Sequence, residues 1–144
     1  EAIARLTAAG YLIAVATNQA GVGRGYYDDA MLQRIHEKMR RLVAEKGGRI
    51  DAIFYCPHHP NDACNCRKPK PGLLLNIASH FDIELTGIPV IGDSLRDIEA
   101  AQAVHCQPIL VLTGNGQDAA QQLANTPEVI VVKDLAAAVD QLLN

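Results

Sequence analysis

Short apolar runs alternate with amphipathic helical patterns along this whole chain, and that alternation constrains its fold more than any other feature. The runs are Tyr11 to Ala16, Ile50 to Tyr55, Ile88 to Ile91, Ile109 to Leu112 and Val129 to Val132. Each is too short and too uniformly apolar for a half-exposed strand, so each suits a strand covered on both faces of a parallel sheet. Helices belong in the intervals. Ile3 and Leu6 give a first helix a spacing that ends at Gly10. Asp28 is a candidate N-cap for a second, with Met31, Leu32, Ile35, Met39, Leu42 and Val43 as its inward stripe and Gly47-Gly48 as its stop. Pro71 suits the first position of a helix running to about Phe81, and Ser94 can cap another that ends near Val104. The stretches Thr17 to Tyr27 and Cys56 to Lys70 are predicted to be loops. Strands alternating with helices give βαβ units with right-handed crossovers. The expected class is α/β, a three-layer, Rossmann-like parallel sheet.

With 144 residues, the chain has room for a single domain, 1–144. Apolar residues make up 49% and charged residues 20%, enough for a packed core and against disorder. The net charge of -3 argues against a nonspecific nucleic-acid binder or an anionic-membrane binder. The absence of Trp and an aromatic share of 4% argue against a base-stacking platform. No apolar run approaches the roughly 18–20 residues that span a bilayer. The first residues form neither a signal nor a transit peptide, so the expected location is the cytoplasm. The chain opens inside a helix where α/β domains usually open with a strand, which points to a segment upstream of Glu1.

In a parallel α/β sheet, ligands sit beyond the carboxyl ends of the strands. Thr17-Asn18-Gln19 follows the first strand, Arg67-Lys68 the loop after the second, and Gly92-Asp93-Ser94 with Asp97 the third. Each alone is ordinary turn or capping chemistry, and Ser94-x-x-Asp97 is a capping-box pattern. Together on one rim they supply a hydroxyl, amides, two cations and a carboxylate. That set suits a phosphate held together with Mg²⁺ on a hard carboxylate.

Of the four cysteines, Cys56, Cys64 and Cys66 cluster while Cys106 stands alone as a core thiol. Cys56-x-His58 followed by Cys64-x-Cys66 offers three thiolates and an imidazole, a full tetrahedral set for a structural Zn²⁺ in a loop at 56–66. His59 competes with His58 as the fourth ligand, and His58 is preferred. A reduced buried cluster is the plain alternative; a Cys64–Cys66 disulfide would be strained.

At these residues the chain resembles the haloacid dehalogenase superfamily, in the branch of heptose 1,7-bisphosphate phosphatases and related histidinol-phosphate phosphatases. Thr17-Asn18-Gln19 with Gly23-Arg24-Gly25 matches the second motif and its loop. The zinc loop matches at Cys56-Pro57-His58-His59-Pro60 and Cys64-Asn65-Cys66. Arg67-Lys68-Pro69-Lys70-Pro71-Gly72 matches the third motif, and Gly92-Asp93-Ser94-Leu95-Arg96-Asp97 the fourth. The resemblance implies a Mg²⁺-dependent phosphatase that removes the C7 phosphate of a heptose bisphosphate, a step toward the activated heptose of lipopolysaccharide. It implies that Thr17 and Lys68 are catalytic, that Thr17, Asn18, Gln19, Ala20, Arg67, Lys68 and Ser94 bind substrate, and that Asp93 holds Mg²⁺. Arg67 would grip a second phosphate. A histidinol-phosphate phosphatase, or a noncatalytic zinc-stapled module binding sugar phosphates or a partner, are the alternatives.

The family's first motif, Asp-x-Asp-Gly-Thr/Val, is absent, and no Asp-x-Asp occurs in the chain. The resemblance therefore implies a missing first strand, lying between those at Tyr11–Ala16 and Ile88–Ile91, that carries the nucleophile and the general acid/base. The chain as printed is expected to be inactive, and the intact protein to be a monomer.

Overall fold

In the computed structural model the described residues are 1–123 and 126–144. Among them the elements run α1 (Ala2–Ala8), β1 (Ala14–Asn18), α2 (Ala20–Gly23), α3 (Asp29–Glu45), β2 (Ala52–Cys56), α4 (Gly72–Phe81), β3 (Pro89–Gly92), α5 (Leu95–Ala103), β4 (Gln107–Val111), α6 (Gly116–Gln122), β5 (Ile130–Val132) and α7 (Leu135–Leu143). All strand pairing is parallel, as continuously apolar strands require. The pairing forms two ladders, β1–β2 and β3–β4–β5, and β1 and β3 do not pair with each other.

The alternation of side chains along β4 shows why both faces need cover. Leu110 packs with Ile98 of α5 and Ala119 of α6, while its neighbours Ile109 and Val111 pack with Ala138 of α7 on the opposite face. Ile109 and Leu110 are completely buried, and burying each such side chain contributes about 1.5–3 kcal/mol. Beside the first ladder, Phe54 of β2 faces Leu74 and Ile77 of α4, whereas the next residue, Tyr55, faces His36 of α3. The same cluster takes in Ala14 and Ala16 of β1 and Val90 of β3, so one core runs under both ladders. Helices on each face of a parallel sheet make the expected three layers.

Helix starts follow the sequence closely. Asp28 caps α3 by accepting from the Met31 N–H at 2.9 Å, and Ser94 with Asp97 forms a reciprocal capping box on α5. Pro71 sits one position earlier than expected, as the N-cap of α4 with Gly72 opening the helix.

Three expectations need correction. The first strand starts later, at Ala14, because its ladder with β2 begins at Ala14 opposite Ala52; Tyr11 and Leu12 are exposed before it. The predicted loop 17–27 is not all loop. β1 continues through Thr17 and Asn18 because Tyr55 and Cys56 pair with them, and α2 then forms a single helical turn. The inward stripe of α3 is Leu32 and His36 with Met39 and Val43 half-buried, while Met31, Ile35 and Leu42 are 42%, 43% and 50% exposed. The expected stripe was too wide because it counted every apolar residue and omitted a histidine. Burial, with the Arg40 guanidinium nearby, holds His36 below its usual pKa. Cys106 is buried as expected, and burial pushes its thiol up.

Candidate active site and metal centre

The rim is built at the carboxyl ends of β1 and β3, which lie in separate ladders. Lys68 links β1 to α5, the helix that follows β3: its Nζ donates to the Ala16 carbonyl at 3.0 Å and to Asp97 Oδ1 at 2.5 Å. Both side chains of that ion pair are largely buried, at 17% and 12% exposure. The backbone of Lys68 is itself clamped. Asn18 Oδ1 accepts from the Lys68 N–H at 3.0 Å, and Asn18 Nδ2 donates to the Lys68 carbonyl at 3.3 Å. An ammonium carries three donors, so two are engaged with protein and one remains for a ligand.

Asp97 is shared between two tasks. Its Oδ1 meets Lys68, while Oδ2 accepts from the Asp93 N–H, the Ser94 N–H and the Ser94 hydroxyl at 3.2, 3.3 and 3.0 Å. The proton of Ser94 is thereby committed to the cap. Asp93 stands at the rim with Oδ2 accepting from the Asn115 N–H at 3.2 Å. That approach depends on Gly114, which has φ +57 and whose missing Cβ leaves room for the Asp93 carboxylate. The other Asp93 oxygen is available to a hard cation. One or two carboxylates plus substrate oxygens is the usual protein contribution to a Mg²⁺ site, so the residues fit that ion.

Thr17 lies at the end of β1 and belongs to a chain of polar contacts. Tyr27 Oη donates to Gln19 Oε1 at 2.5 Å, and Gln19 Nε2 donates to Thr17 Oγ1 at 3.1 Å. Ala20 opens α2 directly behind them. Arg67 is half-buried, and among the described residues its buried Nη1 has no partner, as suits a group awaiting an anion.

Cys56, His58, Cys64 and Cys66 place their ligand atoms within 4.8 Å of one another. Cys56 Sγ lies 3.7 Å from Cys64 Sγ and 3.3 Å from His58 Nδ1, which is 3.2 Å from Cys66 Sγ. Two thiolates on one tetrahedral Zn²⁺ at about 2.3 Å stand about 3.8 Å apart, so these residues fit that metal. His59 is turned elsewhere: its Nδ1 accepts from the Asn61 N–H at 3.0 Å. The Arg67 backbone N–H, with the neighbouring thiols, brings the Cys64 thiol down to about 7 against the effect of burial. Burial and the adjacent thiols push Cys66 up to about 12.

The metal loop is tied to the rim through backbone. The Gln19 N–H donates to the Cys56 carbonyl and the Gly23 N–H to the Pro57 carbonyl, both at 2.7 Å. A Cβ on Gly23 would collide with the backbone of Pro57, His58 and His59, none of which is a side chain that can swing aside. Gly23→Ala is therefore expected to destabilise the protein by about 1–3 kcal/mol. Chemical denaturation checks this, and an unchanged midpoint contradicts it.

The rim thus brings Thr17, Asn18, Gln19, Lys68, Asp93 and Asp97 together from three strand ends. The reading of the sequence missed Tyr27 altogether and missed Asp97 as the partner of Lys68. Tyr27 carries no local signal beyond its place after Gly25; Asp97 was legible as a cap, which concealed its second role.

Two family models match. One is described as HAD-hydrolase-like over residues 65–138, the other as polynucleotide kinase 3 phosphatase over residues 1–96. The chain is 53% identical to a D-glycero-beta-D-manno-heptose-1,7-bisphosphate 7-phosphatase of Pseudomonas aeruginosa, over 99% of this chain and 80% of the relative. It is 50% identical to the enzyme of the same name from Bordetella bronchiseptica, again over 99% and 80%. A crystal structure of D,D-heptose 1,7-bisphosphate phosphatase from B. bronchiseptica, complexed with magnesium and phosphate, superposes with a TM-score of 0.95 at 51% identity, covering 99% of this chain and 79% of that one. The corresponding structure from Burkholderia thailandensis gives 0.78 at 41% identity, covering 99% and 82%. On the strength of these matches, the chain belongs to the HAD-like hydrolases, in the family of D-glycero-beta-D-manno-heptose-1,7-bisphosphate 7-phosphatases.

Proposed function

We propose that residues 1–144 form one phosphatase domain that holds the C7 phosphate of D-glycero-D-manno-heptose 1,7-bisphosphate during its hydrolysis, a step toward the activated heptose of lipopolysaccharide. The observation that carries the reading is the Lys68 ammonium, fixed between Ala16 and Asp97 with a donor to spare. Lys68 neutralises one phosphoryl oxygen, and the Thr17 hydroxyl donates to another. Charge in phosphoryl transfer spreads over these oxygens, so positioned donors supply most of the stabilisation. Asn18 acts through Lys68 by clamping its peptide, and Ser94 acts through Asp97 as a cap. Mg²⁺ on Asp93, when bound, adds charge neutralisation at the same phosphate. Cys56, His58, Cys64 and Cys66 would hold Zn²⁺, which would fix the loop that delivers Arg67 and Lys68.

Arg67 is the residue we assign to the second phosphate. A guanidinium can grip phosphate through two parallel donors, and the buried Arg67 Nη1 has no partner among the described residues. The test uses protein expressed from its complete gene with Mg²⁺ saturating. Phosphate release is expected to be faster from the heptose bisphosphate than from histidinol phosphate, and Arg67→Ala is expected to reduce that preference by about tenfold or more. Equal rates on both substrates, or a preference untouched by Arg67→Ala, would overturn the assignment.

A further inference from the structure

We propose that Tyr27 is a positioning residue for the reaction: acting through Gln19, it keeps the hydroxyl proton of Thr17 free for the phosphate. The proposal rests on the reading of Thr17 as a phosphate-holding residue.

A primary amide has two unlike ends, an accepting oxygen and a donating NH₂, and its two orientations have nearly the same shape. Here the oxygen end of Gln19 takes the Tyr27 proton at 2.5 Å, so the NH₂ end faces Thr17 and donates to it at 3.1 Å. Thr17 is thus an acceptor toward Gln19. Its own proton goes only to the Asn18 carbonyl at 3.4 Å, a long contact easily exchanged for a charged oxygen. With the amide reversed, Thr17 would give its single proton to Gln19 and meet a phosphate with lone pairs alone.

Among the described residues the Tyr27 hydroxyl has no acceptor other than Gln19, so its proton selects the orientation. The backbone brings Tyr27 to this place. Gly25, at φ +77, turns the chain after α2, and the Tyr26 N–H donates to the Gly21 carbonyl at 2.8 Å. Gly21 then lies under the Tyr27 ring, where any Cβ would collide with the ring atoms. Gln19, Gly21, Gly25 and Tyr27 therefore work as one device aimed at Thr17.

The test is a double-mutant cycle in the complete protein with Mg²⁺ saturating and the heptose bisphosphate as substrate, at a temperature well below the melting point of every variant. Tyr27→Phe keeps the ring over Gly21 and removes only the hydroxyl. It is expected to lower kcat roughly three- to tenfold, the worth of one ordinary hydrogen bond, with the melting temperature lowered by no more than about a few degrees. It should weaken competitive inhibition by inorganic phosphate by a similar factor. In a Thr17→Val background, Tyr27→Phe is expected to have no further effect on kcat. A normal kcat for Tyr27→Phe, or a full additional loss in the Thr17→Val background, overturns the proposal. A normal kcat for Thr17→Val alone overturns the reading of Thr17 instead.

Discussion

Lys68→Ala is expected to lower kcat of the complete phosphatase by about a hundredfold or more, the usual cost of losing one preorganised donor to the transition state. The loss should exceed any effect on stability. Lys68 contributes to the fold through one ion pair with Asp97 and one bond to the Ala16 carbonyl. Removing it leaves Asp97 partly uncompensated, a cost of about 1–3 kcal/mol. Asp97 Oδ2 keeps its three capping donors from Asp93 and Ser94, so α5 should still start at the same place. The discriminating measurement pairs kcat with the melting temperature. Lys68→Met, which preserves the aliphatic stem, should show the same rate loss with a smaller shift in melting. A near-normal rate in either variant, with Mg²⁺ saturating, excludes Lys68 from the site.

The parts of the site that sequence reading could reach are those specified within a few residues. The Ser94–Asp97 capping box is a three-residue spacing, and the backbone realises it as written. Cys56, His58, Cys64 and Cys66 need only a loop that folds back, and Pro57 and Pro60 lie inside that loop. The apolar runs gave the strands because burial on both sheet faces leaves no polar position to alternate with. What could not be read depends on phase or on distant partners. Apolar residues on α3 occupy more than one face, so periodicity could not say that Leu32 points inward and Met31 outward. His36 is inside because Tyr55 lies against it from β2, a contact between residues far apart in the chain. The link from Tyr27 to Thr17 needs both the turn at Gly25 and the bare Cα of Gly21. Asp97 shows the subtlest failure: a correct local role concealed its ion pair with Lys68.

Removing zinc is the perturbation expected to reach furthest through the molecule. Structural zinc sites contribute apparent binding free energies of about 10–16 kcal/mol in small domains, comparable to or above a typical net stability of about 5–15 kcal/mol. Cys56 is completely buried at the end of β2, so the centre is anchored in the core on one side. On the other side its loop runs straight into Arg67 and Lys68, with the Lys70 ammonium donating to the Cys64 carbonyl at 2.7 Å. Through Gln19 and Gly23 it also holds α2, the turn that supports Thr17. Without metal, three cysteine sulfurs and an imidazole crowd one spot with no cation to bring them together. Protein purified without chelator is expected to contain one equivalent of zinc by elemental analysis. A strong chelator should lower the melting temperature by many degrees and reduce phosphatase activity together with it, and added Zn²⁺ should restore both. Cys56→Ser should reproduce the chelated state and resist rescue, because a serine oxygen is a poor substitute for a thiolate on this ion. Full activity and an unshifted melting temperature in zinc-free protein would show that the four side chains hold the loop by themselves.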